Sequence, residues 1–421
     1  MASPSIGIIF LTVFVDLIGF GIVLPLLPTY GESFGASGLT IGALMASYSA
    51  MQFLFSPVWG SWSDRVGRRP AILISTLGST LSYAVFAIAS TKTGSLALWG
   101  IFASRIVAGI CGANLTVAQA YIADITPPED RSRRMGLIGM AFGLGFILGP
   151  ALAVVAQNSL GKSGPGLVAS AICGINFLLA WARLPESWKP GNVPVARRPR
   201  LAQIRHVLAF PLVGFLVLVF FLATFGFTCF ETTLGILITR NFNLGEETSH
   251  NTNAILFCLA GLIGAVVQAG PVGRLVKRLG EPRLIALSLI VFAAGLAPLP
   301  WVRGDSVLSV ATLVSPAGAP WWVLLFLVAL IAIGSGLTRP PLFGLVSNLS
   351  PEQERGGTLG VVQSAGSLAR ILGPLFAGAL LDRHPAWPYV TCAALALVAG
   401  LLAWNRLVGH VPRRDPSPIA T

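Results

Sequence analysis

Twelve apolar runs of about 20 residues, each long enough to cross a hydrocarbon layer of about 30 Å as an α-helix, constrain this chain more than any other feature. They lie at 6–29, 39–61, 70–90, 95–121, 135–157, 165–184, 207–238, 252–273, 283–301, 320–343, 357–381 and 387–407, and are numbered α1 to α12 in chain order. Lipid offers no partner to backbone N–H and C=O groups, so each run must satisfy its own by forming a helix. Of the 421 residues, 54% are hydrophobic and 10% charged, which excludes an ordinary soluble fold. The expected fold class is an all-α membrane protein. The first run has no basic leader and no small-residue cleavage site, and reads as a spanning helix rather than a removable signal.

The net charge of +12 does not point to nucleic acid, because the basic residues sit in short loops instead of on one face. They are distributed by side. With both termini cytoplasmic, the inner side carries the clusters at 65–69, 131–134, 183–205, 274–283 and 406–414. The outer loops carry only Lys92, Lys162, Arg240, Arg303 and Arg383. That bias has the sign expected for basic loops facing the cytoplasm of a plasma or inner membrane. The five cysteines lie inside apolar runs without paired spacing and read as packing residues, neither a disulfide framework nor a metal site.

One inner connection is long. Residues 185–206 contain Pro185, Pro190, Pro194 and Pro199 among basic residues, so this stretch cannot span and reads as a linker along the anionic inner leaflet. It divides the chain into an N-terminal six-helix bundle (1–184), the linker (185–206), a C-terminal six-helix bundle (207–407) and a cytoplasmic tail (408–421). The halves repeat each other. An offset of 224 carries Thr126–Arg131 onto Ser350–Arg355, Gly136 onto Gly360, and Gly149-Pro150 onto Gly373-Pro374. An offset of 213 carries Gly60 onto Gly273, Arg65 onto Arg278 and Gly67 onto Gly280. Two parallel repeats with a site between them near the midplane form the transporter architecture in which one half rocks against the other.

The turn between α2 and α3 reads Gly60-Ser61-Trp62-Ser63-Asp64-Arg65-Val66-Gly67-Arg68-Arg69-Pro70. Gly67 permits a tight reversal, Pro70 suits the first turn of a helix, and the arginines hold the turn inside. The string resembles the signature loop between helices 2 and 3 of major facilitator superfamily transporters. The resemblance implies that Asp64 faces the N-terminal end of α11 and that the arginine beside it pairs with an acid ending α4, a position Asp124 occupies. Such contacts would form a conformational switch; topogenesis alone would also account for the arginines.

Asp16 lies about 10 residues into α1, hence about 15 Å deep. A carboxylate there is costly unless paired, hydrated or protonated, and desolvation favours the neutral form that a proton carrier needs. A hydrogen-bond partner for a neighbouring helix would also explain it, but Gly19, Gly21, Pro25 and Pro28 loosen this helix and favour a cavity-facing acid. Asp16 through Pro25 resembles helix 1 of tetracycline-type drug:proton antiporters. Arg105, in Arg105-Ile106-Val107-Ala108-Gly109, either faces water or a carboxylate or snorkels to the outer surface. Its stretch resembles the helix 4 motif of proton-coupled members, where the arginine is tied to proton transfer. Gly145-Phe146-Ile147-Leu148-Gly149-Pro150 has small residues one turn apart before a proline, a close-packing seam. It resembles the helix 5 antiporter motif, with Leu152 and Ala153 departing from it. Glu231 and Arg370 are candidate cavity residues or a structural ion pair. Gln52 and Gln119 could line the cavity or bridge helices.

The resemblance as a whole is to tetracycline and multidrug efflux proteins, and implies a monomeric, multi-pass antibiotic-resistance type antiporter that expels a small amphipathic compound in exchange for protons. Membrane lipid and protons are its other partners. The alternative is a facilitator or proton symporter importing a sugar or an organic anion. Tetracycline pumps carry an acidic residue in α9, and Leu284–Trp301 has none. Three intramembrane arginines against two acids suit an anionic or amphipathic substrate. The sequence has no phosphate-binding G-x-x-x-x-G-K-[ST] loop and no nucleophile–base or metal-ligand spacing, so neither ATP drive, nor a cofactor, nor enzymatic chemistry is expected.

Overall fold

Where the apolar runs stop is decided by glycine, proline and charge. In the computed structural model, which describes residues 6–112, 115–126, 128–187, 200–269, 271–350 and 355–408, all regular structure is helical. The first span, α1, runs Ile6–Ser33 and is interrupted by a 3-10 turn at Leu24–Leu26, where Pro25 and Pro28 remove backbone donors. It is followed by α2 (Gly38–Val66), α3 (Arg68–Ser90) and α4 (Gly94–Gly112, continued by Leu115–Asp124). The first half closes with α5 (Pro128–Leu160) and α6 (Gly164–Arg183). The second holds α7 (Pro211–Asn241), α8 (Glu246–Ala269), α9 (Glu281–Leu296), α10 (Ala319–Leu349), α11 (Arg355–Leu381) and α12 (Trp387–Leu407).

By length and apolarity alone, 11 stretches qualify as spans among the described residues, because 143–183 forms one run of 41 residues. A straight helix of that length would measure about 60 Å, twice a bilayer core. It is instead two helices, α5 and α6, turned back by a single 3-10 turn at Gly161–Ser163 in which Gly161 has φ +69°. The twelve-helix expectation therefore stands.

Several boundaries differ from the apolar count. Glu246 and Glu247 form the first turn of α8, where acids are favoured by the helix dipole, so that helix starts six residues before its apolar run. Pro271–Leu279 is a separate short helix, and Arg200–Leu208 precedes α7, which starts at Pro211. Residues 188–199 of the expected linker and 409–421 of the expected tail lie outside the described residues.

Two sets of core side chains form. One runs from Ile9 to Leu184 and centres on Tyr30, Phe86 and Tyr121; the other runs from Val207 to Leu407 and centres on Phe220, Phe292 and Trp321. Within the first half, α1 packs on α5 and α6, and α3 on α4 and α6; within the second, α7 packs on α11 and α12, and α9 on α10 and α12. Between the halves, α2 packs on α11 and α5 on α8.

These cross-half contacts tighten at the end opposite the basic loops. Asn253 Nδ2 donates to the Pro25 carbonyl at 2.5 Å, and Asn251 Nδ2 to Asn158 Oδ1 at 2.8 Å. Lys162 pairs with Glu246 at 2.6 Å and Arg240 with Glu32 at 3.1 Å. Tyr30, whose hydroxyl donates to Gln157 at 2.8 Å, lays its ring 4.6 Å from buried His250. Further toward the basic loops, Arg339, Gly360 and Gln363 are exposed, and a Cβ built on Gly143, Gly264 or Gly360 would meet nothing within 4 Å.

Candidate functional site

Charged side chains from both halves gather at the middle of the bundle, and tyrosines connect them. Asp16 is half-buried on α1, 3.5 Å from Asn176 Nδ2 of α6; the same amide donates to the Thr12 carbonyl at 3.0 Å. The Asp16 carboxylate also lies within electrostatic reach of Tyr48 on α2, Tyr83 on α3, Cys111 on α4 and Cys173 on α6. It sits among α2, α3, α4 and α6.

Arg105 is 0% exposed, so it does not snorkel. Its guanidinium lies 4.6 Å from the Tyr48 ring centroid and 5.5 Å from that of Phe20. None of its three side-chain nitrogens has a hydrogen-bond partner among the described residues. Cation–π attraction recovers roughly 2 kcal/mol for a desolvated contact, well short of what a buried, unsolvated charge costs. The site is thus built to hold a charge whose hydrogen bonds are left unmade. Gly109 makes room for it, since a Cβ there would lie 2.9 Å from Met51 Cβ and from Tyr48 Cα. Gln52 Nε2 donates to the Gly112 carbonyl at 3.0 Å, tying α2 to α4, and Gln119 is half-buried lower on α4.

Across the seam, Glu231 is buried on α7 with no hydrogen-bond partner for Oε1 among the described residues, and it acts electrostatically on Arg370 of α11. Arg370 donates to Ser367 Oγ at 3.2 Å and also reaches Tyr48. Tyr48 is therefore within electrostatic reach of Asp16 and Arg105 in one half and of Arg370 in the other. Arg339 of α10 lies 5.5 Å over the Phe220 ring and within reach of Arg370. Neither Tyr48 nor Tyr83 stood out in the sequence; a phenol inside a span, in a chain with only 5 tyrosines, is the signal that could have found them.

The helix 5 motif works by proximity. A Cβ on Gly149 would lie 2.6 Å from Gly21 Cα and 2.8 Å from Ile22 N, and one on Gly145 would lie 3.0 Å from Leu17. A Cβ on Gly21 would in turn lie 2.5 Å from the Gly145 carbonyl oxygen. The seam presses α5 on the stretch of α1 that bears Asp16, and α5 stays helical through buried Pro150.

The α2–α3 turn is wired differently from the expectation that gave the Asp124 pair to Arg65. Arg65 is exposed, and Arg68 makes the pair, with Nε 3.1 Å from Asp124. Arg68 also pairs with Asp64 at 2.5 Å and donates to Ser63 Oγ at 2.7 Å. The reason is steric: Gly67, at φ +104°, reverses the chain so that Arg68 enters α3 pointing inward, 7% exposed, while Arg65 ends α2 on its outer face. A Cβ on Gly60 would lie an ordinary 3.6 Å from Thr116 of α4.

Glu186, unassigned by sequence reasoning, completes the turn. Its carboxylate accepts from Arg68 N–H at 2.9 Å and Arg69 N–H at 3.1 Å, capping the N-terminus of α3 from beyond α6. Tyr121 fixes the same strand of chain by donating to the Pro185 carbonyl at 3.0 Å.

The family model described as Major Facilitator Superfamily matches residues 9–315 and 306–420. The chain is 32% identical over 399 residues to a tetracycline resistance protein of class E from Escherichia coli, covering 92% of this chain and 91% of that protein. It is also 32% identical to a class C tetracycline resistance protein from Escherichia coli, covering 90% of each. The crystal structure of the human organic anion transporter MFSD10 (TETRAN) superimposes with a TM-score of 0.65 at 26% identity, covering 94% of this chain and 98% of that one. Repeat architecture, loop motif, fold and relatives agree: this chain belongs to the Major Facilitator Superfamily.

Proposed function

We propose that the protein is a secondary transporter that exports a small amphipathic compound in exchange for protons by alternating access. The observation that carries this reading is the placement of Asp16 and Arg105 around one tyrosine, Tyr48, which also faces Arg370 of the other half. A proton on Asp16 changes the field at the seam where the halves must part. With the basic loops and both termini cytoplasmic, the closed end faces outward and this is the state that accepts substrate from inside. Entry of a proton to Asp16 from outside then accompanies substrate release. One charge crossing 100 mV supplies about 2.3 kcal/mol, which supports roughly a fiftyfold gradient.

The test is substrate-induced proton flux in vesicles bearing wild type or Asp16→Asn. The variant should fold, still bind substrate, and lose uphill transport. Retained uphill transport would remove Asp16 from the mechanism.

A second reading has one observation in its favour: Arg339 of α10 lies within electrostatic reach of Arg370 of α11, on which the Glu231 carboxylate also acts. Two neighbouring guanidinium groups favour an organic anion. An anion and a proton at Asp16 would stabilise each other, so they would travel together, whereas a cation and a proton would compete and counter-flow. Measuring whether substrate binding takes up or releases protons separates the two.

A further inference from the structure

The end of α2 opposite the basic loops is completed by the other half of the molecule. A helix leaves its first N–H groups without intrahelical partners. Ser37 Oγ takes one, accepting from Thr40 N–H at 3.2 Å as an N-cap does. Gly38 N–H and Leu39 N–H donate instead to the two carboxylate oxygens of Asp382, at 2.6 and 2.9 Å. Asp382 follows α11, so a charge from the second half sits on the positive end of a helix in the first. Such bonds are about twice as strong as neutral ones. Contact this close needs glycine: a Cβ on Gly38 would lie 2.7 Å from both Asp382 Oδ1 and the Gly378 carbonyl oxygen.

The internal repeat places a counterpart. The offset of 213 carries Gly38 onto Asn251, and the offset of 224 carries Asp382 onto Asn158. Those two residues also meet, Asn251 Nδ2 donating to Asn158 Oδ1 at 2.8 Å. The same pair of positions therefore joins the halves twice, through an ion on a helix terminus at one seam and two neutral amides at the other.

We propose that Asp382 is a charge latch that holds the halves together on the face opposite the basic loops, and that it is the reciprocal of Asp64. Asp64 lies in the last turn of α2 and is expected from the family loop to face the N-terminus of α11. Asp382 follows α11 and caps the N-terminus of α2. The two helices each carry the acid that closes the other, at opposite faces, so engaging one latch requires releasing the other. Here Asp382 is engaged, and the ion-pair partner of Asp64 among the described residues is Arg68 of its own turn. The proposal rests on alternating access but not on the substrate or on proton coupling.

The experiment places spin labels at Thr91→Cys and Val307→Cys, exposed sites in loops of opposite halves on the latched face. Distance distributions are measured on the full chain in lipid nanodiscs. The native cysteines are buried or half-buried, and protein without the added cysteines is the labelling blank. Asp382→Asn keeps the shape and removes the charge, and should raise the ratio of long to short distances at least tenfold. Asn158→Asp adds a charge at the counterpart seam and should lower that ratio. If folded Asp382→Asn leaves the distribution unchanged, the latch is refuted. If Asp382→Asn does not fold, Asn158→Asp decides alone, and an unchanged or raised ratio refutes the role of charge. Loss of transport in Asp16→Asn with the latch responses intact would identify a proton carrier on the same scaffold, so the two readings fail separately.

Discussion

Replacing Gly149 by alanine asks whether α1 and α5 really meet backbone to backbone. The added methyl would stand 2.4 Å from the Gly21 carbonyl carbon, where ordinary contact begins at 3.4 Å, so the helices must part by about 1 Å at that level. No rotamer relieves the clash, because the atoms met are main chain. Overpacking of this kind costs about 1–3 kcal/mol, which for a chain of this length lowers the apparent melting temperature by roughly 1–3 °C. The displacement also reaches Asp16, five residues up the same helix from Gly21, so transport should fall further than stability does. Gly143→Ala is the matched control: it lies on the same helix, its Cβ meets nothing within 4 Å, and losing a mid-helix glycine should stabilise by about 0.5–1 kcal/mol. Both variants are read by thermal unfolding in detergent and by uptake into vesicles. A Gly149→Ala protein that melted and transported like wild type would refute the close seam, as would a Gly143→Ala protein that suffered equally.

Two further outcomes follow from the α2–α3 turn. Arg68→Ala leaves Asp124, whose side chain is only 18% exposed, with Ser187 Oγ but no ion-pair partner among the described residues, and should destabilise by about 2 kcal/mol, while Arg65→Ala stays within about 0.5 kcal/mol; paired melting curves distinguish them, and equal losses would reverse the assignment. Glu186→Gln keeps one acceptor for the α3 N-terminus and removes the charge, and should cost about 1 kcal/mol and speed amide exchange at Arg68 and Arg69. Unchanged exchange there would mean the cap is not formed.

The fold was readable because its causes are one-dimensional. Apolar run length, the side to which arginines segregate, and two offsets in the repeat all survive in a linear string. So did Asp16 and Arg105, since a charge inside a span is conspicuous wherever it points. What the sequence concealed is contact made by ordinary residues from distant segments. Tyr48 becomes the centre of the site only once α1, α2, α4 and α11 converge on it. Glu186 and Asp382 look like loop acids until each is seen capping a helix that it does not precede in sequence. The Arg65-for-Arg68 error has the same origin: the reversal at Gly67 decides which arginine points inward, and spacing alone does not encode that rotation.

Gly161 carries a consequence out of proportion to its size. It lets the backbone fold back between α5 and α6 in the short polar gap, 158–164, that separates their apolar runs. Every helix after it inherits its up or down direction from that one bend. With the basic loops cytoplasmic, as proposed above, loss of the bend would send each later loop to the other compartment, and the arginines at 274–283 and 406–414 would have to be carried through the membrane. A single residue with no side chain thus governs the parity of half the molecule, and the electrical cost of the mistake is what keeps the chain from making it.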